Sequence, residues 1–182
     1  MINLAPNERV YLLKRRHPIL LKLFIIPLLF LLSFILILVL FGLFYKIPLP
    51  EFLVEIFPQL SKIKINFIFA FILSLILPAI WIIIFFEITR YYLTYWVITN
   101  QRILEARFIS FFNIKYSSIE LSKIQDMTVS IEGVFPSLFR FGNLKIETAG
   151  EKGEFILNQI ENPEIVKQII FEAKIDYQHQ NL

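Results

Sequence analysis

The sequence predicts a membrane α-helical hairpin of two transmembrane helices, followed by a small antiparallel β-barrel of about seven strands that a C-terminal α-helix caps. The prediction of the hairpin is based on two stretches, 23–45 and 65–86, which are 23 and 22 residues long and carry no charge. A hydrocarbon core about 30 Å thick needs about 20 residues of helix, so each stretch is long enough to span a bilayer. The barrel rests on the short alternating apolar and polar runs that begin at about residue 91.

Composition and charge agree with a membrane protein. Hydrophobic residues make up 57% of the chain, against about 45–50% in soluble domains. Residues 1–86 hold 8 Lys and Arg against 3 Asp and Glu, whereas residues 87–182 hold 10 against 12. The positive charge therefore belongs to the membrane half, and no nucleic-acid partner is expected. Because the chain has no cysteine, disulfides, thiolate zinc sites and cysteine nucleophiles are excluded.

Residues 1–22 are predicted to form a cytoplasmic basic segment ahead of the first helix. They lack the short apolar core and small-residue cleavage site of a secretory signal, which predicts an uncleaved first helix. We interpret the basic residues as a topology signal, with docking of anionic lipid headgroups as the alternative. These residues are Arg9, Lys14, Arg15, Arg16 and Lys22.

The predicted extracytoplasmic loop, residues 46–64, contains three prolines, so the first spanning helix must end there. Within the loop, Glu51, Glu55 and Gln59 recur at helical spacing opposite apolar residues. This stripe predicts a short helix on the membrane surface. A groove for an extracytoplasmic ligand is the alternative.

The second spanning helix contains Pro78, which leaves the Ser74 carbonyl without its usual donor and predicts a local kink. Whether that kink is a hinge stays open. Neither apolar stretch holds an Asp, Glu, Lys, Arg or His, although transporters and proton relays usually mark their pathway with such a residue. Two such helices therefore do not predict a pore or carrier.

The distribution of Lys and Arg predicts the orientation. Five precede the first helix and three lie in the connecting loop, so the positive-inside rule places the amino terminus in the cytoplasm. Two spans then return the chain to the same side. We expect a multi-pass cell-membrane protein with both termini cytoplasmic.

The segment 87–176 is predicted to form the barrel domain. The turn Thr99-Asn100-Gln101-Arg102 joins two strands, with Asn100 tolerating a positive φ. Ala149 to Gly153 supplies the loop of a later hairpin. The predicted strands are Tyr91 to Asn100, Arg102 to Phe112, Ile114 to Leu121, Met127 to Glu132, Leu144 to Thr148 and Phe155 to Ile160.

The chain closes with an amphipathic helix and a polar tail, 177–182. Asn162 suits the N-cap, Pro163 the first helical position and Glu164 the positive end of the helix dipole. About seven antiparallel strands plugged by one such helix is the pleckstrin-homology (PH) architecture. The helix's apolar stripe is Ile165, Val166, Ile169, Ile170 and Ala173.

Three runs also resemble a known family: Val97 to Ile103, Ile119 to Met127 and Phe141 to Gly150. With Pro6 to Arg9 and Arg15 to His17 ahead of the first helix, they resemble the bacterial membrane-anchored PH-domain family typified by the YdbS and YdbT proteins. The resemblance extends from Pro6 to about Ala173 and implies a PH-like fold and a membrane address, but no reaction. It departs at Val134-Phe135-Pro136-Ser137, where a more glycine- and leucine-rich approach to Phe141-Gly142 is expected.

No enzyme pattern is present, so no catalytic, cofactor-binding or metal-binding residue is predicted. His17 and His179 are isolated, and neither belongs to a metal-ligand motif. His17 is interpreted as an interfacial or pH-sensitive contact rather than a ligand. Asp126 lies in a family motif, but its expected role is a turn hydrogen bond.

Two function classes follow, and the binding residues stay unassigned. The first is a membrane-tethered, non-enzymatic binding or scaffold module that recognises a protein partner or another copy of itself. The second is a lipid-responsive module, and an accessory subunit of a transport or export complex is a weaker alternative. No phosphoinositide pocket is expected. The loop interpreted as the first hairpin loop, Asn100-Gln101, has only Arg102 and Arg107 nearby, with Glu105 between them, and this is too little positive charge to capture a headgroup selectively.

Overall fold

The computed structural model describes residues 4–5, 7–45, 65–110, 113–149 and 154–180. The chain divides into two compact units. One unit is the helical part, Leu21–Ile88, and the other joins Met1–Leu20 to Thr89–Leu182. The second unit is called the sheet domain below.

Three helices make up the apolar part of the chain: α1 (Pro18–Phe44), α2 (Ile65–Ser74) and α3 (Ile76–Leu93). By length and composition, Pro18–Phe44 and the stretch Asn66–Leu93 could each cross a membrane. The helices pack closely at Gly42, where an added Cβ would lie 3.3 Å from the Ala70 Cβ. The buried residues of this unit are Ile35, Val39, Ala70, Ile80 and Ile84.

The helix bounds differ from the predicted ones in two places. Helix α1 begins at Pro18, since the fixed φ of proline suits the first helical turn, and α3 continues past Phe86 to Leu93. The predicted irregularity at Pro78 is found at Leu75, whose N–H lies 3.3 Å from the carbonyls of both Phe71 and Ile72. The surface helix predicted in 46–64 lies outside the described residues.

Seven strands are found in the described part of the chain, and they form two antiparallel sheets. The first sheet has the order β1-β2-β3-β4 and the second β5-β6-β7. With the C-terminal helix, this confirms the predicted fold class. The strands are β1 (Val10–Arg15), β2 (Tyr95–Thr99), β3 (Arg102–Ser110), β4 (Asn113–Glu120), β5 (Ile124–Ser130), β6 (Phe141–Thr148) and β7 (Glu154–Glu161).

Strand β1 lies in residues 1–22, which the sequence predicted to be a basic segment ahead of the first helix. It pairs with β2, with Leu13 opposite Val97 and Arg15 opposite Tyr95, and Leu12 packs against the core. The first two strands are therefore adjacent in space but separated in sequence by all of residues 16–94. The helical hairpin is an insertion between two neighbouring strands.

The core of the sheet domain lies between the two sheets and the last helix, α5 (Pro163–Gln180). Of the predicted apolar stripe, Val166, Ile170 and Ala173 are buried, whereas Ile165 is exposed. Tyr177 also packs against the core, so α5 continues into the predicted tail. The buried residues shared by sheets and helix are Trp96, Ile98, Ile103, Leu121, Ile124, Met127, Leu144, Ile146, Phe155, Leu157, Ile160, Val166, Ile170 and Ala173.

A short helix, α4 (Val134–Phe139), occupies the stretch that departs from the family pattern. It begins after Gly133, whose φ is 104°, and ends at Arg140 in the left-handed conformation. Strand β6 then starts, and an added Cβ at Gly142 would lie 2.6 Å from the Ser130 carbonyl oxygen. Because Gly142 has no side chain, the start of β6 can pack closely against the end of β5 directly after α4.

Candidate functional site

The turn Asn100-Gln101 joins β2 to β3 and is not the first hairpin loop, because β1 precedes it. Among the described non-glycine residues, a left-handed φ occurs at Arg140, Gln159 and Asn162, so the positive φ expected at Asn100 is wrong. That residue instead contacts the amino-terminal segment. Its Oδ1 accepts a hydrogen bond from the Arg9 N–H at 2.8 Å, and its own N–H donates to the Arg9 carbonyl at 3.1 Å.

Beside this turn lies a buried carboxylate, Glu8, which the sequence did not single out. Arg102 donates to it from Nε and from Nη2, both at 2.9 Å. The Thr99 hydroxyl and the Ala5 N–H each donate to it at 2.8 Å. The hydrogen bond from Arg102 is the largest cause that lowers the pKa of Glu8, to about 2. Arg102 is thus bound within the domain by a charged partner.

A second carboxylate, Glu105, holds the other arginine. Arg107 donates to its Oε1 from Nη2 at 2.7 Å and from Nε at 3.0 Å, and the Trp96 indole N–H donates to the same oxygen at 3.1 Å. Glu105 is buried. Glu105 and Arg107 line a hollow of about 310 Å³, together with Lys115, Ser117, Ser118, Ile119, Glu154, Phe155 and Ile156.

The two histidines and Asp126 lie in separate settings. His17 precedes α1, where its Nδ1 accepts the Ile19 N–H at 3.2 Å, as an N-cap does. Its ring stacks on Phe141 with centroids 5.3 Å apart. Asp126 is exposed and accepts the N–H of Met127 at 2.7 Å. In the described ranges, no cluster of three or more His, Asp or Glu could hold a metal ion.

Among the described residues of the sheet domain, the most exposed apolar side chains lie on α4. Val134 is 82% exposed, Leu138 71% and Phe135 61%, and helical spacing places these three on one face. We call them the α4 surface. The sequence signal was the run Val134 to Phe139, which is largely apolar but lacks strand alternation. Next to this helix lies a hollow of about 510 Å³, lined by Ile131, Ser137, Arg140, Asn162, Pro163, Glu164 and Ile165.

The solved structures similar to this chain include two PH-domain proteins of low sequence identity. A DUF1696-family protein with a pleckstrin-homology domain from Shewanella loihica PV-4 is 19% identical, with a TM-score of 0.37 over 44% of this chain and 70% of that one. A pleckstrin homology domain from Shewanella amazonensis SB2B is 20% identical, with a TM-score of 0.34 over 42% and 63%. No curated protein matches the chain.

The comparison with family models gives a long match. The model described as "Bacterial PH domain" matches residues 21–174, which is more than half of the chain and includes the apolar helices as well as strands β2 to β7. On this match, the chain belongs to the bacterial PH-domain family.

Proposed function

We propose that this chain is a membrane-tethered, non-enzymatic PH-like module that binds a protein partner through the α4 surface. The observation that carries the proposal is the exposure of Val134, Phe135 and Leu138 on one face of a short helix. Exposed apolar side chains grouped in this way mark interaction sites in soluble and peripheral domains. The partner would offer an apolar face of its own.

The charges near the turn favour a protein partner over a lipid headgroup. Arg102 and Arg107, the two arginines that follow the Asn100-Gln101 turn in the sequence, are both bound by carboxylates at 2.7–2.9 Å. Capturing a phosphate with either would require breaking these charge-assisted hydrogen bonds, which contribute about 1.5–3 kcal/mol each. The α4 surface itself carries no charge, as is common at the centre of protein interfaces.

The membrane address is part of the same proposal. Helix α1 and the stretch Asn66–Leu93 would span the cell membrane, with both termini and the sheet domain on the cytoplasmic side. The support is their length and apolar composition and the excess of Lys and Arg ahead of α1. A tether of this kind would raise the concentration of the module near membrane-bound partners.

The test is site-specific photo-crosslinking of the full-length chain in the cells that produce it. A photoreactive residue at Leu138 should give a discrete protein adduct, whereas one at Phe171, an exposed apolar position on α5, should not. An adduct of twice the chain mass would identify the partner as a second copy. Equal, diffuse labelling at both positions would contradict the proposal.

A substitution pair makes the test sharper. Val134→Asp combined with Leu138→Asp places two carboxylates on the α4 surface and should abolish recovery of the crosslinked partner. Phe171→Asp, the matched control, should leave it unchanged. Because all three positions are exposed, the melting temperature should stay close to that of the parent chain, which separates loss of binding from loss of folding.

A further inference from the structure

Two opposite charges bracket α4 in the chain. Glu132 lies just ahead of the helix, separated from it by Gly133, and Arg140 directly follows its last residue. Both side chains are exposed. The run between them, 133–139, has no charge and contains the α4 surface. The apolar helix therefore has a negative group at one end and a positive group at the other.

Neither of these charges is neutralised within the described part of the chain. The Glu132 carboxylate accepts a hydrogen bond from the Ser130 hydroxyl at 2.6 Å. The ion pairs found among the described residues include neither Glu132 nor Arg140. Glu164 lines the same 510 Å³ hollow as Arg140 without pairing to it. Both ends of α4 can therefore take an ionic partner from another molecule.

A second copy of the same helix offers a matching surface. Six residues of helix are about 9 Å long, so two α4 helices that pack antiparallel place the Glu132 end of each beside the Arg140 end of the other. A parallel arrangement would bring like charges together. Two-fold interfaces have this self-complementary form, because a contact from residue i to residue j is repeated from j to i. The charges thus favour one orientation.

We propose that the partner of the α4 surface is a second copy of this chain, bound across a two-fold axis. The apolar faces of the two α4 helices pack together, and Glu132 and Arg140 form two equivalent ion pairs between the copies. The ion pairs act mainly on orientation and partner choice, whereas the apolar contact supplies the affinity. This inference rests on the proposed function and names the partner of that site.

The size of the helix predicts a weak contact between free molecules. Stable protein interfaces bury about 1,200–2,000 Å² in total, which is more than one six-residue helix from each copy can supply. Two copies tethered to one membrane meet at a higher effective concentration. The association should therefore increase with the density of the chain in the membrane.

The test measures energy transfer between full-length chains in vesicles of phosphatidylethanolamine and phosphatidylglycerol. Because the chain has no native cysteine, Gln168→Cys, at an exposed position on α5, carries a donor fluorophore in one preparation and an acceptor in the other. Parent chains should show energy transfer that rises with their density. An excess of unlabelled parent chain should remove it.

Reversal of each charge separates a two-fold contact from general association. Glu132→Arg makes both ends of α4 positive and Arg140→Glu makes both negative, so each variant alone should lose the energy transfer. A mixture of the two variants should restore it, because opposite charges then meet at both ends. The double variant should associate with itself as the parent does. Lys167→Glu, a reversal at an exposed position on α5, is the matched control and should change nothing.

Two results would overturn the inference: energy transfer that both single variants retain, and a mixture that does not regain it. Restoration in the mixture also shows that the single variants are folded. The photo-crosslink at Leu138 distinguishes this failure from failure of the proposed function. A discrete adduct with a protein of another mass would overturn the second copy and keep the α4 surface as a binding site, whereas diffuse labelling at Leu138 would overturn both.

Discussion

Glu8 and Arg102, 94 residues apart in the sequence, form a two-point ion pair with both N···O distances at 2.9 Å. Glu8 precedes β1 and Arg102 opens β3, so the pair joins chain segments from the two sides of the inserted helical hairpin. Asn100 reinforces the same junction through the backbone of Arg9. The junction keeps β1 in the sheet although its neighbour β2 comes after the whole insertion.

The first prediction is that acid destabilises the sheet domain through Glu8. Its folded-state pKa is about 2 against an ordinary value of 4.5, so the stabilisation is complete above pH 4.5 and is lost as the pH falls towards 2. Between pH 7 and pH 3 the loss should be about 2 kcal/mol. Thermal unfolding of the full-length chain in detergent measures it.

The control for this prediction is a neutral residue at the same position. Glu8→Gln should be less stable than the parent at pH 7. Its free energy of unfolding should change much less between pH 7 and pH 3 than that of the parent. Glu172→Gln, at an exposed glutamate on α5, should keep the parental pH dependence. An unchanged pH dependence in Glu8→Gln would show that other carboxylates dominate.

The second prediction concerns Gly142. An added methyl would lie 2.6 Å from a backbone oxygen and 2.8 Å from Ile131 Cγ1, so Gly142→Ala must displace β5 or β6. The cost should be about 1–3 kcal/mol of unfolding free energy. Gly133→Ala is a different case, because the strain there would come from its φ of 104° rather than from crowding. Denaturant unfolding of both variants checks this, and a neutral Gly142→Ala would contradict the packing described.

The third prediction is that His17 acts as an N-cap for α1. Its Nδ1 accepts the Ile19 N–H, and replacing a capping side chain by alanine costs about 1 kcal/mol. His17→Ala should therefore lower the melting temperature. His17→Asn, which keeps an acceptor but loses the stacking on Phe141, should recover part of it. Equal melting temperatures for the two variants would assign the whole effect to the stacked ring.

The fourth prediction is that the domain does not bind inositol phosphates through Arg102. Because this arginine is committed to Glu8, calorimetry of the full-length chain in detergent should detect no saturable binding of a soluble inositol phosphate at near-physiological salt. The full-length chain is required, since a fragment that starts at Tyr91 would lack β1. Saturable binding of the inositol phosphate that is abolished by Arg102→Ala would contradict the prediction.

The fifth prediction is the cytoplasmic location of both termini. A reporter enzyme that is active only outside the cytoplasm, fused after Leu182, should be inactive, because an even number of spans returns the chain to its starting side. The same reporter inserted in the loop 46–64 should be active. The reverse pattern would contradict the positive-inside assignment.

Local patterns in the sequence determined most of the elements. Two long charge-free runs predicted the apolar helices, alternation predicted most of the strands after residue 94, and Asn162-Pro163 predicted the start of α5. These features depend on residues close together in the chain, where helix and strand periodicity is set. The packing of Val166, Ile170 and Ala173 followed from the same helical period.

Tertiary structure decided what depends on distant residues. Strand β1 has six residues in a basic segment, and its partner β2 lies beyond the helical hairpin. No local pattern therefore identified these residues as a strand. The pairing of Arg102 with Glu8 and the exposure of the α4 surface are likewise set by distant contacts. The sequence by itself therefore predicted two apolar helices long enough to cross a membrane and the fold family. Only the folded sheet decided which arginine side chains are paired with carboxylates and which apolar side chains stay exposed. Both depend on contacts between residues far apart in the chain.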